Sequence, residues 1–170
     1  MPQDSYLKSL RINTGRPKLS SGRTSIETSA SSHSTEGYIL NVTTTFEGGI
    51  LFAVITGEYS LEDAERVFLE ILEALRETAI SKVLIDGRAV SGEPSVADCF
   101  YYGEFMAIAV QKLVDSGWAV EDPCFAFVLH EPILDPLRLG ETVAINRGIN
   151  IKAFQNKHEA CRWLEQEQPA

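Results

Sequence analysis

The chain has 170 residues, is 44% apolar and 23% charged, and carries a formal net charge of −9. That length suits one domain with a sizeable core. The composition is that of an ordinary soluble protein, no apolar run approaches the roughly 18–20 residues of a membrane helix, and the acidic balance is poorly suited to nucleic acid, where phosphate contacts dominate affinity.

Residues 1–36 read as a flexible tail. Thirteen of them are Ser or Thr, five are basic and three acidic. Apolar residues there have no period, so the segment cannot bury enough surface to offset its ordering entropy. The opening stretch MPQDSYLKSLRINTG lacks the apolar core of a secretory signal, and a cytoplasmic location is expected. The domain is predicted over residues 37–167.

Tyr38 to Phe46 reads as a strand, followed by the hairpin signal Glu47-Gly48-Gly49. Ile50 to Thr56 is a continuous apolar run, as expected for a strand buried on both faces. A helix from about Leu61 to Thr78 gathers Ala64, Val67, Phe68, Ile71, Leu72 and Leu75 on one face, with Ser60 as N-cap. Lys82 to Asp86 is the next strand. A second helix from about Val96 to Asp115 places Val96, Cys99, Gly103, Met106, Val110 and Leu113 on one face, widened by Phe100, Ala107 and Val114. Gly103 at mid-helix predicts close packing on a neighbour, because glycine there costs about 1 kcal/mol relative to alanine. Cys124 to Leu129 is another buried strand. Asp135-Pro136 reads as an N-cap and first helical position, with Gly148 as terminator. Ile151 to Phe154 is a short strand, and Asn156 opens a last helix. The order β-β-α-β-α-β-α-β-α predicts an α/β fold: a mixed five-stranded sheet, antiparallel in its N-terminal hairpin and parallel elsewhere, covered by about four helices.

Open α/β sheets bind beyond the carboxyl ends of their strands, which directs attention to KVLIDGRAVSGEPSVAD, residues 82–98. Asp86 and Arg88 end one strand there. Ser95 stands at a helix start with Asp98 three residues on, which fits first a capping box, with a phosphorylation switch as the alternative reading. Glu58 and His130 end neighbouring strands. With Asp86 and Arg88 they supply the residue types of acid–base chemistry, or simply of ion pairs and solvated loops. Tyr101, Tyr102 and Phe105 are candidates for an exposed aromatic patch on the second helix. No metal-ligand spacing, Walker loop, G-x-G-x-x-G or nucleophile elbow occurs. No cofactor, metal site or catalytic residue is therefore expected. Cys99, Cys124 and Cys161 are too widely spaced for a C-x-x-C site or a paired disulfide framework, and read as small buried hydrophobes.

The segments GEYSLEDAERV, KVLIDGRAVSGEPS, ETVAINRGINIKAF and HEACRWL, spread from about Ile39 to Leu164, resemble the STAS superfamily. The closer likeness is to its SpoIIAA-like branch of small bacterial proteins, grouped with Sec14-like folds. The resemblance implies a non-enzymatic module for regulation or ligand sensing. In anti-sigma-factor antagonists a serine after the central strand is phosphorylated by a partner kinase, and by position Ser91 or Ser95 corresponds. Those proteins carry an Asp-Ser-Ser/Thr-Gly type sequence there, whereas this chain has Ser91-Gly92-Glu93-Pro94-Ser95. The leading expectation is a protein-binding regulatory module whose recognition edge contains Asp86, Arg88, Ser91 and Ser95. The alternative is a Sec14-like carrier or sensor of a small apolar, lipid-like ligand, with Glu58, Tyr102 and His130 at the ligand edge. An enzyme is the third reading.

Overall fold

The structure is a computed structural model that describes residues 40–78, 80–118 and 122–166. The Ser/Thr-rich segment 1–36 and Tyr38 lie outside the described residues. The elements are β1 (Leu40–Glu47), β2 (Ile50–Glu58), α1 (Leu61–Thr78), β3 (Lys82–Ser91), α2 (Val96–Asp115), β4 (Cys124–Val128), α3 (Leu139–Asn146), β5 (Asn150–Phe154) and α4 (Lys157–Gln166).

Glu47 pairs with Ile50 across a two-residue loop. Gly48 and Gly49 both have positive φ, at 58° and 80°, the requirement of a type I′ turn that matches the twist of its strands. The sheet order is β1-β2-β3-β4-β5, antiparallel for the first pair and parallel for the rest. Each parallel connection steps the same way along the sheet. Right-handed crossovers therefore place α1, α2 and α3 on one face.

The core has two parts, divided by the sheet. On the first face Leu51, Ala53, Ile55, Val83, Ile85, Phe125, Phe127 and Ile151 meet Val67, Phe68, Ile71 and Leu75 of α1, Met106 and Val110 of α2 and Ala144 of α3. The predicted apolar face of α1 is buried without exception, and Ser60 caps that helix by accepting the Asp63 N–H at 3.2 Å. On the second face α4 packs Ala160 and Leu164 against Leu84, Ala126, Val128 and Phe154. β3 and β4 thus bury both sides, which is why Val83-Leu84-Ile85 and residues 124–128 read as unbroken apolar runs.

Two boundaries and one helix face differ most from the sequence reading. β3 runs on to Ser91, because the chain crosses Gly87-Arg88 as a bulge: the pairing moves from Val54–Asp86 to Thr56–Ala89, which inserts one extra residue on β3. α3 starts at Leu139, four residues after Asp135. Asp135 instead closes a turn, its carboxylate accepting the N–H groups of Leu137 and Leu139 at 2.9 and 2.8 Å, and Arg138 takes a left-handed conformation with φ 53°. Val96 and Phe100, predicted on the buried face of α2, are exposed. They precede the point where α2 meets the sheet, and the helix buries Gly103, Met106, Ala107, Ala109 and Val110.

Gly103 makes the close approach that its position predicted. A Cβ there would lie 2.6 Å from the Gly140 carbonyl oxygen and 3.0 Å from Val143. Gly140 answers from α3, where a Cβ would lie 3.0 Å from the Cys99 carbonyl oxygen. Two glycines therefore let the backbones of α2 and α3 touch.

Candidate functional site

In-register neighbours share a sheet face, so Val54, Asp86 and Val128 point to the α4 side. Val54, Asp86, Arg88, Ala89 and His130 line a shallow groove there, at the carboxyl ends of β3 and β4. The bulge returns Ala89 to the face that Asp86 and Arg88 already occupy. Arg88 grips Asp86 bidentately, with Nε to Oδ1 at 2.9 Å and Nη2 to Oδ2 at 2.7 Å. Asp86 is only 8% exposed, whereas the Arg88 side chain is 42% exposed. The Arg88 hydrogen bonds hold the Asp86 carboxyl below its ordinary range. Burial opposes this, and the Arg88 backbone N–H and the charges of Arg88 and Lys157 assist it. Lys157, the first residue of α4, sits over the Phe52 ring at 5.4 Å. The groove therefore carries an ionised carboxylate already matched by a guanidinium, with apolar Val54 beside it.

The serines lie elsewhere. Ser91, at the end of β3, donates its hydroxyl to the Gly57 carbonyl at 3.3 Å. Its carbonyl accepts the Tyr59 N–H at 2.8 Å. Ser95 caps α2 in a complete capping box. Its Oγ accepts the Asp98 N–H at 3.1 Å, and Asp98 Oδ2 accepts the Ser95 N–H at 2.9 Å. α2 belongs to the opposite face of the sheet, and no hydrogen bond joins Ser91 or Ser95 to the groove. Glu58, in register with Ser91, is not part of the groove lining. The predicted site residues thus fall into two sets. Asp86, Arg88 and His130 share one groove, while Ser91 and Ser95 flank the turn that leads into α2. Among the described residues no cluster of three or more His, Cys, Asp or Glu side chains could hold a metal ion, and no helix is long and apolar enough to cross a membrane.

Beside Ser95 the exposed side of α2 shows Val96 at 66%, Tyr101 at 53% and Phe100. The Phe100 and Tyr101 rings pack edge-on at 5.7 Å, and Arg147 of the α3 C-cap lies 5.8 Å from the Phe100 ring centre while pairing with Glu104. Phe105 turns inward instead, edge-on to Phe68, so the aromatic patch on α2 is Phe100 with Tyr101.

Tyr102 also turns inward, and with it the third feature appears. An apolar cavity of about 130 Å³ lies between the first face of the sheet, α2 and the loop before α3. Tyr59, Cys99, Tyr102, Met106, Leu129 and Ile133 are among its walls. Sequence reasoning named Tyr102 as a ligand-edge residue but placed it with Glu58 and His130. The structure separates them: Tyr102 lines the cavity, His130 the groove on the other face.

No family model and no curated protein sequence matches this chain significantly. Solved structures do. The chain is similar to an anti-sigma factor antagonist from Mycobacterium paratuberculosis, with a TM-score of 0.50, 14% identity, and coverage of 75% of this chain and 95% of that one. The chain shares the fold of that mycobacterial protein. An uncharacterised protein of the DUF3478 family with a SpoIIAA-like fold, from Shewanella loihica, matches with a TM-score of 0.41, 17% identity, and coverage of 78% of this chain and 99% of that one. At 14% identity the likeness to the mycobacterial protein is one of fold, and a shared fold hosts many functions.

Proposed function

We propose that this chain is a non-enzymatic regulatory module of the bacterial cytoplasm that works by binding a protein partner. The supporting observation is the exposed apolar and aromatic cluster Val96, Phe100 and Tyr101 on α2, next to the capped Ser95. Exposed apolar groups that adjoin one another mark interaction sites more often than isolated ones, and aromatic residues dominate interface energetics. The name of the mycobacterial neighbour suggests the partner class, an anti-sigma factor. The turn from Ser91 to Ser95 borders this surface, and the Asp86–Arg88 pair forms a second, polar contact region on the other face. A phosphate on Ser95 would add roughly −1.5 to −2 charges. It would gain the free amides of the α2 N-terminus and meet the repulsion of Glu93 and Asp98, so modification would break the capping box and alter the surface directly beside Val96.

The test is a titration of the partner isolated from the host. Alanine at Val96, Phe100 and Tyr101 together is expected to weaken its affinity at least tenfold. Unchanged affinity removes this face from consideration. Intact-mass measurement of the protein from its own host reads the switch: an 80-dalton addition mapped to Ser95 supports it, and an unmodified serine under every growth condition rejects it. A second reading, binding of a small apolar ligand, is supported by the cavity beneath α2.

A further inference from the structure

The cavity has the size of a single small molecule. An engineered apolar cavity of about 150 Å³ stays dry and binds benzene or xenon, and this one measures about 130 Å³. It lies well below the roughly 300–1,000 Å³ of pockets for drug-sized ligands, so a two-chain lipid does not fit as the walls stand. Most of the wall is hydrocarbon, from Ile55, Ile85, Met106, Phe127 and Leu129.

The polar groups in that wall are mostly engaged already. Asp135 accepts two backbone N–H groups. Arg138 donates to Glu141 at 2.9 Å and to the Ala153 carbonyl, and Glu141 also accepts the Ala153 N–H. Two groups differ. Among the described residues the hydroxyls of Tyr59 and Tyr102 make no hydrogen bond with the protein, although both side chains line the cavity and lie close enough to interact electrostatically. Burial pushes both phenols well above their ordinary range, and the charges of Asp98 and Glu65 raise Tyr59 further. Both are therefore neutral hydroxyls with a proton to give. Neither hydroxyl is sealed from solvent, since Trp118 Nε1 is the buried unpartnered side-chain atom among the described residues, so a ligand oxygen would take the place of water on them.

We propose that the cavity binds a small neutral molecule with a ring-sized apolar body and one carbonyl oxygen, which accepts the hydroxyl protons of Tyr59 and Tyr102. This rests on the ligand-binding reading above and names its chemical class. A carboxylate head would meet Asp135 and Glu141 in the wall, and Arg138, the cation among the lining residues, already pairs with Glu141. An ammonium head has no unengaged carboxylate among the lining residues to pair with.

The experiment titrates the full chain with acetophenone, ethylbenzene, benzoate and benzylamine by calorimetry and by amide chemical-shift changes. Acetophenone is expected to bind at least tenfold more tightly than the similarly shaped ethylbenzene, since two neutral hydrogen bonds together supply roughly that factor. The double variant Tyr59→Phe/Tyr102→Phe keeps the packing and is expected to erase the advantage while leaving ethylbenzene affinity within twofold. Ala153→Val, which narrows the cavity from β5, is expected to weaken both ligands. Ethylbenzene binding as tightly as acetophenone overturns the class and leaves the ligand-binding reading intact. Benzoate or benzylamine binding more tightly than acetophenone also overturns the class. Failure of all four probes overturns both, and binding indifferent to Ala153→Val places the site elsewhere and overturns the proposal.

Discussion

Replacing Gly103 by alanine sets two effects of similar size against each other. Helix propensity favours alanine by about 1 kcal/mol at a mid-helix position. Packing opposes it, because the new Cβ would lie 2.6 Å from the Gly140 carbonyl oxygen and 3.0 Å from two carbons of Val143. A flexible side chain could swing away, but a backbone carbonyl moves only with its helix. Ordinary contact begins at 3.4 Å, so α3 would have to retreat by most of an ångström, opening its contact with α2. Overpacking of this kind costs about 1–3 kcal/mol, so crediting about 1 kcal/mol of propensity leaves a net loss of up to about 2 kcal/mol. Equilibrium urea unfolding measures it. With m of about 2 kcal/mol/M, the midpoint should fall by up to about 1 M at unchanged m. A variant more stable than the wild type by the full propensity gain of about 1 kcal/mol would refute the close approach of α2 and α3.

Ser95→Ala removes the hydroxyl half of the α2 capping box and is expected to cost about 1 kcal/mol in the same assay. Ser95→Asp, which keeps an acceptor for the Asp98 N–H, should recover part of that loss. Arg66 of α1 donates to the Leu40 carbonyl at 2.7 Å, tying the start of the edge strand β1 to the helix. Arg66→Leu is expected to cost about 1–3 kcal/mol, as for a hydrogen bond from a charged donor, with faster amide exchange concentrated in β1. Uniform exchange across the sheet would show that the tie is not local.

The sheet and its helices were legible because burial writes a period into the chain. β3 and β4 are apolar without alternation since α4 covers one side and α1 and α2 the other, and the apolar positions of α1 recur at helical spacing. The start of α3 was not legible. Asp135-Pro136 has the residue types of a helix start, but the Asp135 carboxylate closes a turn with Leu137 and Leu139 instead. The extent of β3 was hidden because Gly87 looks like a turn residue. A Cβ there would meet Leu129 at 2.7 Å, so the glycine serves a tight passage inside the strand. The site divided for a related reason. Strand ends predict one sheet edge, but they do not say on which face a side chain emerges, and α2 and α4 cover opposite faces. The exposure of Val96 and Phe100 left no clear mark either, since α2 is apolar around much of its circumference, and the cavity depends on side-chain shapes that no period encodes.

Asp86, Arg88 and His130 share a groove, and such a set would suit acid–base chemistry if the carboxylate were poised near neutral pH. The geometry argues the other way. Arg88 donates two side-chain hydrogen bonds to Asp86, and these outweigh the opposing effect of burial, so the folded-state pKa is lowered. The sign of the linkage follows. A carboxyl that is more acidic folded than unfolded contributes stability above its unfolded value, about 3.9, and that stability is lost as pH falls through the lower folded value. Carbon-detected NMR titration of the Asp86 carboxyl should give a midpoint below the ordinary value. Arg88→Ala should raise it, because the carboxylate then stays buried without its guanidinium. Asp86→Asn should flatten the corresponding part of the acid-unfolding curve. A wild-type midpoint above about 5, clear of the ordinary aspartate range, would mean that the bidentate pair does not form in solution, and it would return the groove to the enzymatic reading.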